Sequence, residues 1–380
     1  MFPKTRIDMS FYSCYYPSVH SLTKTGISSH MELPYCSVVD MFCGAGGLTH
    51  GFVQEGFRVL TGIDCDPKCE YVYTVNNPAN FITKRIEEIN AAELKSYFPH
   101  NHKKILIGCA PCQPFSSYTK QFRATTTKWQ LVETFIDLAV EAKPHILSME
   151  NVPELVTFRD GVMFNELTKK LADAGYYVSH YKVYCPNYGI PQMRTRLVLF
   201  ASRYSAIKLI EATHAPEQYL SVRDVIGDLP PIAAGETHQT DPLHRSSGLS
   251  ELNKQRIQQS IPGGTWRDWN ESLIAKCHKK KTGGSYASVY GRMRWETPSP
   301  TMTTQCYGYG NGRFGHPEQH RAISMREAAI FQTFPKDYKF FPPGSEWSTE
   351  TVARLIGNAV PVKLGQVIAK SIKQHIRSTQ

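Results

Sequence analysis

Long apolar runs are missing from this sequence of 380 residues. No stretch reaches the ~18 consecutive apolar residues that a membrane-spanning helix needs. The first thirty residues contain no sustained apolar segment of the kind that a secretion signal carries. We therefore expect a soluble cytoplasmic protein that makes no membrane contact. Its ten cysteines are then expected to stay reduced, most of them as small buried apolar side chains.

The chain also lacks internal repeats and shows no extreme of composition, since 41% of its residues are hydrophobic and 20% are charged. These proportions exclude a fibrous or intrinsically disordered protein. Lysine and arginine total 43 against 33 acidic residues, which gives a formal net charge of +10. A basic surplus fits a polyanionic partner such as nucleic acid, although many basic proteins bind none.

A second cysteine pair at zinc-finger spacing is absent as well. Cys109 and Cys112 form a C-x-x-C motif, which occurs in half of a zinc site or in a redox pair. The only other close cysteines, Cys65 and Cys69, are four residues apart. We therefore expect no metal site, and a redox pair stays an alternative for the motif.

What the chain does show is an alternation of short apolar runs with amphipathic segments as far as Ser202. Strands are predicted at residues 36–42, 57–63, 105–109, 145–149, 176–184 and 197–201, and helices at 48–55, 128–142, 164–174, 324–333 and 349–375. Pro144 follows the helix at 128–142 and ends it. This rhythm predicts an α/β fold with a doubly wound, mostly parallel sheet, whose active site lies at the carboxyl ends of its strands.

The alternation divides the chain into three parts. Residues 1–34 show no clear period and are interpreted as an N-terminal extension. Residues 35–202 and 322–380 are expected to form one discontinuous catalytic domain. Residues 203–321 are irregular, polar and rich in glycine, proline and histidine, and are interpreted as a separate smaller domain.

A glycine-rich turn follows the first predicted strand, with Gly44, Gly46 and Gly47 leading into a helix. Glycines let a ligand approach the backbone and the amino end of the helix. Asp64 ends the second strand, where an acidic residue often binds ribose hydroxyls. The combination indicates an adenosine-containing cofactor, but it does not separate NAD from S-adenosyl-L-methionine, and a purely structural turn is also open.

Cys112 lies in the loop after the third strand, where a thiol is accessible and open to activation as a nucleophile. Glu150 follows the strand at 145–149 and could hold or donate a proton in the same cleft. Arg194 and Arg196 alternate at the start of the strand at 197–201 and are expected to share a face suited to phosphate or a carbonyl group. A helix cap for Glu150 and surface salt bridges for the arginines are the plain alternatives.

These motifs occur in the order found in the DNA (cytosine-5)-methyltransferase family, which the sequence resembles over about 320 residues. The matching segments are Asp40 to Leu48, Pro111 to Gln113, Glu150 to Val152, Gln192 to Arg196, Arg326 to Pro335 and Gly357 to Val360. The resemblance, to bacterial restriction-modification enzymes in particular, implies a class I S-adenosyl-L-methionine-dependent methyltransferase fold. It also implies duplex DNA as the partner and residues 203–321 as a target-recognition domain.

The resemblance assigns the cofactor site to residues from both ends of the chain. The implied contacts are Phe42, Gly44, Gly46, Gly47, Leu48, Asp64, Cys65, Asn358, Ala359 and Val360. Cys65 stands where the family often has an apolar or aromatic residue against the adenine. Arg85 departs from the pattern, because the family usually has an aspartate there that faces the adenine amino group. Either that contact is missing or Glu87 supplies it.

The family's chemistry implies that the Cys112 thiolate attacks carbon 6 of a flipped-out cytosine, so that carbon 5 accepts a methyl group. Glu150 would bind or protonate N3, and Arg196, with Arg194, would hold the base carbonyl or a phosphate. A loop at 114–128 is a candidate lid. The residues expected to contact DNA are Gln113, Ser116, Arg123, Lys279, Lys280, Lys281, Arg292, Arg294 and Thr303.

Three other functions share part of this evidence. A tRNA cytosine-5 methyltransferase would keep every catalytic residue, although the long insert at 203–321 favours DNA. A DNA-binding protein with an inactive catalytic domain conflicts with the intact Cys112, Glu150 and Arg196. A nicotinamide-dependent dehydrogenase explains only the glycine-rich turn. We expect a monomer associated with the nucleoid through DNA, together with a cognate restriction endonuclease or another defence-system partner.

Overall fold

The computed structural model describes residues 35–111, 130–280, 283–284 and 286–379. A seven-stranded sheet lies at the centre of these residues, in the order β3-β2-β1-β4-β5-β8-β6. Its strands are β1 (Cys36–Met41), β2 (Arg58–Asp64), β3 (Asn80–Thr83), β4 (Lys103–Gly108), β5 (Ile146–Asn151), β6 (Tyr177–Tyr184) and β8 (Thr195–Ser202), while β7 (Gln192–Met193) pairs separately with β9 (Ser299–Pro300). Strands β1 to β5 are parallel, and β8 runs antiparallel to both of its neighbours.

Ten α-helices are described. They are α1 (Gly47–Gln54), α2 (Cys69–Asn76), α3 (Ala91–Ser96), α4 (Gln130–Ala142), α5 (Val162–Asp173), α6 (Val222–Ile226), α7 (Glu251–Gln259), α8 (Met325–Phe331), α9 (Thr349–Asn358) and α10 (Val362–Ser378). Among the described residues, no helix has both the length and the apolar character needed to cross a bilayer.

Both faces of the sheet are covered, because its central strands are apolar on each side. In β4, Leu106 packs into a cluster that includes α4 and α5, whereas Ile105 and Ile107 pack into a second cluster with α1 and α10. Strands buried on two faces are typical of parallel sheets with helices on either side. The predicted α/β fold class is therefore confirmed.

Residues 203–321 contain little regular structure, as the sequence predicted, but some of their buried side chains pack against the rest of the chain. Met293 and Met302 belong to one buried cluster with side chains of α8 and α9, and a smaller cluster forms around Trp266, Trp269 and Tyr309. Because the first cluster contains residues from both sides of the predicted boundary at residue 321, the domain division stays a prediction. That division assigns residues 35–202 with 322–380 to one domain and residues 203–321 to another. The predicted extension at 1–34 lies outside the described residues.

The sequence-based elements differ from the structure at a few points. The short elements α2, β3 and α3 were not predicted. The helical stretch expected at 349–375 is divided into α9 and α10, because Pro361 lacks the N–H that a continuous helix would need there. The break creates a turn at residues 358–360, beginning with the last residue of α9, in which Val360 packs against Gly47 at the start of α1.

Candidate active site

The turn between β1 and α1 has an unusual backbone. Phe42 adopts a φ of 59°, and Gly44 and Gly46 have φ values of 51° and 83°. Only glycine adopts this left-handed region without strain, so Phe42 is the exception that its surroundings must hold in place. The backbone N–H of Cys43 donates to the carbonyl of Ile63, which ties the turn to the carboxyl end of β2.

Asp64, at the end of β2, also holds the turn in place through its side chain. One carboxylate oxygen accepts the N–H of Gly44 at 2.9 Å, and the other accepts the N–H of Asp66 at 2.9 Å. Burial raises the pKa of Asp64, although both hydrogen bonds oppose the rise. The carboxylate therefore fixes the glycine-rich turn, and its remaining lone pairs are available to a ligand.

A second carboxyl group, Asp40, lies below the turn at the end of β1. It is fully buried, and the hydroxyl of Thr49 donates to its Oδ2 at 2.7 Å. Its Oδ1 has no hydrogen-bond donor among the described residues. Burial, with a smaller contribution from Asp64, raises the pKa of Asp40 to about 7. From the sequence, Asp40 was recognised only as part of a motif, although its position near the end of β1 is the signal that marks a candidate site residue.

The turn at residues 358–360 packs against the turn between β1 and α1. A methyl group built on Gly47 would lie 2.2 Å from the carbonyl oxygen of Val360, so the two turns pack backbone against backbone. Asn358 ends α9 with its side chain exposed, and Ala359 and Val360 are buried. The structure thus brings together the predicted cofactor residues from the two ends of the chain.

Cys65, which follows β2, and Arg85, which follows β3, include the departure from the family pattern. Cys65 is exposed, and the positive charge of Arg85 lies close enough to oppose the rise in its pKa that burial causes. Arg85 is itself exposed and donates to Glu87 at 3.0 Å. The ion pair leaves both residues at the surface, and the replacement of the family's aspartate by Glu87 stays a prediction.

Glu150 is the last residue but one of β5 and is 2% exposed. Its Oε2 accepts the thiol of Cys109 at 2.8 Å, and its Oε1 lies 3.1 Å from Nε of Arg196. Oε1 has a charge partner but no hydrogen-bond donor in the described part of the chain. Burying such an oxygen is costly unless a ligand completes its hydrogen bonding.

The strand order explains this grouping. β4 and β5 are parallel neighbours, so the loop after Gly108 begins beside Glu150. In the antiparallel pair of β5 and β8, Glu150 lies opposite Val198, and Arg196 is two positions away on the same face. Cys109 was interpreted only as half of a C-x-x-C motif, and its contact with Glu150 could have been inferred once β4 and β5 were taken as neighbours.

The two arginines have different surroundings. Arg196 is partly exposed and donates Nη1 to the carbonyl of Thr195 at 2.7 Å. Arg194 precedes β8 rather than lying in it, is 5% exposed, and donates to the carbonyl of Met302 at 3.2 Å. Burial and the nearby Arg196 lower the pKa of Arg194 to about 10. Its Nε has no partner in the described residues, so Arg194 both supports the 301–305 loop and keeps one free donor.

Several predicted site residues lie outside the described residues, and their positions stay predictions. They are Cys112, Gln113, Ser116, Arg123 and Lys281, together with the candidate lid at 114–128.

In residues 203–321, the structure separates two neighbouring arginines that the sequence treated alike. Arg294 is exposed and lies against Gly263, where a side chain would clash with it. Arg292 is 2% exposed and donates to the carbonyls of Ile257, His316 and Gln319. The expected base contact does not fit Arg292, because its guanidinium donors are already used in hydrogen bonds that join three segments of the fold.

The remaining predicted DNA contacts lie at or near the surface. Lys279 and Lys280 are exposed, with Lys279 paired to Glu271 at 3.3 Å. Thr303 is half-buried and accepts the N–H of Gln305 at 3.3 Å.

Comparison with known proteins identifies the family. A profile for C-5 cytosine-specific DNA methylase matches residues 36–374. The chain is 58% identical over 340 residues to the type II methylase M.HgiDII of Herpetosiphon aurantiacus, covering 90% of this chain and 96% of that protein. It is 32% identical to the type II methyltransferase M.PspPI of a Psychrobacter strain, covering 88% of this chain and 78% of that protein.

A solved structure shares the fold. It is described as a DNA modification methyltransferase encoded within an E. coli prophage, and it superposes with a TM-score of 0.67 at 21% identity, covering 90% of this chain and 99% of that one. Because the profile spans most of the sequence, the chain belongs to the C-5 cytosine-specific DNA methylase family and is a DNA (cytosine-5)-methyltransferase, as the resemblance predicted.

Proposed function

We propose that this enzyme transfers a methyl group from S-adenosyl-L-methionine to carbon 5 of a cytosine that has rotated out of duplex DNA, through a covalent bond to Cys112. The observation that carries the proposal is the buried carboxylate of Glu150, whose Oε1 has an arginine beside it but no hydrogen-bond donor within the described residues. A cytosine ring offers a donor for this oxygen when N3 is protonated.

The cleft beside β1 and β2 fits the cofactor. Gly44 has open space where a side chain would project, so a ligand can approach the backbone there. Asp64 suits a pair of ribose hydroxyls, and the unpartnered Oδ1 of Asp40 suits a positively charged group nearby. Asn358, Ala359 and Val360 would close the far side. When bound, S-adenosyl-L-methionine supplies an electrophilic methyl group.

The residues of the chain then act on the base. The Cys112 thiolate bonds to carbon 6, and the electron pair of the carbon 5–carbon 6 double bond makes carbon 5 nucleophilic. Glu150 hydrogen-bonds to or protonates N3, and Arg196 holds the base carbonyl or an adjacent phosphate. After carbon 5 is methylated, a base removes its proton, the double bond re-forms, and Cys112 leaves as the thiolate.

The base can reach this pocket only outside the helix, and flipping costs a few kcal/mol. We propose that residues 203–321 recover this cost by contacting the duplex. Lys279, Lys280 and Arg294 are exposed and positively charged, as phosphate or base contacts require. Gln113, Ser116, Arg123, Lys281 and Thr303 complete the proposed DNA surface.

The names of the relatives support a type II restriction-modification role, because two of them are called type II enzymes. We therefore propose a cognate restriction endonuclease as the functional partner, a monomeric methyltransferase, and a cytoplasmic location on the nucleoid.

The decisive experiment measures tritium transfer from labelled S-adenosyl-L-methionine to unmethylated plasmid DNA and to tRNA in parallel. Duplex DNA should be labelled, and label on tRNA alone would overturn the choice of substrate. DNA in which 5-fluorocytosine replaces cytosine should trap a covalent adduct, since fluorine blocks the last elimination. Cys112→Ala should bind S-adenosyl-L-homocysteine normally but give neither label nor adduct, and retained turnover would refute the nucleophile.

A further inference from the structure

Gln192 is a fully buried glutamine in β7 whose side chain joins two distant parts of the chain. Its carbonyl oxygen accepts the N–H of Met302 at 2.8 Å, in the 301–305 loop. Its amide nitrogen donates to the carbonyl of Phe331 at 3.0 Å and to Oε1 of Gln332 at 2.8 Å. Both N–H groups of this amide are therefore used.

Gln332 continues the chain of bonds and is also fully buried. Its amide nitrogen donates to the carbonyls of Ile356 at 2.7 Å and Ala359 at 2.9 Å. These carbonyls belong to the end of α9 and to the turn at residues 358–360. Rotating either amide by half a turn would set donors against donors, so the bonding pattern fixes both orientations.

A second contact joins the same two segments. A methyl group built on Gly357 would lie 2.3 Å from the carbonyl carbon of Thr303, so α9 packs directly against the 301–305 loop. Thr301 donates its hydroxyl to the carbonyl of Met193 at 2.8 Å, which holds the loop beside β7. The loop, β7 and the 358–360 turn therefore form one packed unit.

We infer that Gln192 and Gln332 are positioning residues that couple DNA binding at the 301–305 loop to cofactor binding at the 358–360 turn. This inference rests on the proposed function. Separating the segments would leave buried amide groups unpartnered, each at a substantial cost. The loop and the turn therefore shift together, and a ligand that orders one of them orders the other. Such coupling is reciprocal, so each ligand raises affinity for the other by the same factor.

The test compares two dissociation constants of S-adenosyl-L-homocysteine, measured by equilibrium dialysis on the enzyme alone and on the enzyme saturated with an unmethylated plasmid. The wild-type constant should fall at least about fivefold with DNA, the lower end of typical coupling. Gln192→Met and Gln332→Met should each bring this ratio close to one. The matched control is Gln366→Met, which breaks a more exposed glutamine pair with Gln54, 2.9 Å long, between α10 and α1, and should keep the wild-type ratio.

A merely structural role would weaken binding with and without DNA equally and leave the ratio unchanged. The inference is overturned by a wild-type ratio of one, or by the wild-type ratio in both glutamine variants. Tritium labelling of the same plasmid by the wild-type enzyme tests the proposed function separately.

A further measurement needs neither a variant nor DNA. In the wild-type protein, S-adenosyl-L-homocysteine should slow amide hydrogen exchange in peptides covering residues 299–306. Unchanged exchange there, with slowed exchange at residues 42–48, would overturn the inference while leaving cofactor binding intact.

Discussion

Gly47 and Val360 meet without any side chain between them, since a methyl group on Gly47 would be 2.2 Å from the Val360 carbonyl oxygen. The contact joins the first turn of the sheet to the turn between α9 and α10. It makes the shape of the proposed cofactor cleft dependent on the absence of a single methyl group.

We therefore predict that Gly47→Ala weakens binding of S-adenosyl-L-homocysteine by roughly 5- to 150-fold, because overpacking of this size costs about 1–3 kcal/mol and displaces the Val360 turn. Isothermal titration calorimetry measures the affinity. Gly248→Ala is the matched control, since a methyl group there meets no atom within 4 Å. Equal affinities for the two variants would contradict the prediction, because they would show that the Val360 turn moves aside without weakening binding.

Glu150→Gln should lower the rate of methyl transfer by about 10²- to 10⁴-fold, the usual contribution of a positioned acid or base. The amide cannot supply a proton to N3 and weakens the charge interaction with Arg196. Single-turnover tritium transfer measures the rate. Binding of S-adenosyl-L-homocysteine should not change, and Glu154→Gln, an exposed neighbour, should react normally. A Glu150→Gln enzyme with the wild-type rate would remove this residue from the mechanism.

The buried pair of Arg321 and Glu327 should be among the most sensitive points for stability. Two bonds of 2.8 Å and 2.7 Å join them, and Glu327 also accepts the N–H of Ser324 at 2.7 Å. Glu327→Gln leaves a buried guanidinium without its counter-charge and should lower the free energy of unfolding by about 3–5 kcal/mol. Urea denaturation measures this.

The matched control for this pair is Asp173→Asn, which breaks an exposed ion pair with Lys169. It should lower the free energy of unfolding by at most about 1 kcal/mol. Similar losses in the two variants would contradict the importance assigned to burial.

Asp40 predicts a pH dependence of stability. Its folded-state pKa is raised by burial to about 7, above the ~3.9 of an unfolded aspartate. A raised pKa means that the folded state binds the proton more tightly, so this contribution is complete below about pH 4 and is lost as pH rises through 7. The melting temperature of the cofactor-free protein should therefore fall as the pH rises from about 5 to about 7, and it should level off above about pH 8.

Asp40→Asn should flatten this fall, because the amide does not ionise. Asp337→Asn removes an exposed charge and should keep the wild-type profile. Parallel profiles for the wild type and Asp40→Asn in differential scanning calorimetry would assign the pH dependence to another group.

The sequence was most informative where a residue type is tied to a place in the fold. A glycine cluster after a strand and an acid at the end of the next one led to the turn at Gly44 and to Asp64, because the βαβ pattern brings strand ends together. Pro361 likewise marks the break between α9 and α10, although the helix predicted at 349–375 ran through it.

The sequence was least informative where a side chain's role depends on distant backbone. Arg292 and Arg294 are two residues apart and look equivalent, but only the first has the carbonyls of Ile257, His316 and Gln319 around it. Those partners come from segments that no local pattern relates to Arg292. The contact of Cys109 with Glu150 is a similar case, since it depends on the order of strands in the sheet.

The meeting of Gly47 with Val360 also bears on how the enzyme is made. The ribosome releases the glycine-rich turn early, and it releases the 358–360 turn only after the whole of residues 203–321 has been translated. A nascent or truncated chain that stops before this turn lacks one wall of the proposed cofactor cleft. Unfinished copies are therefore expected to be inactive, because the turn at residues 358–360 is translated only after residues 203–321.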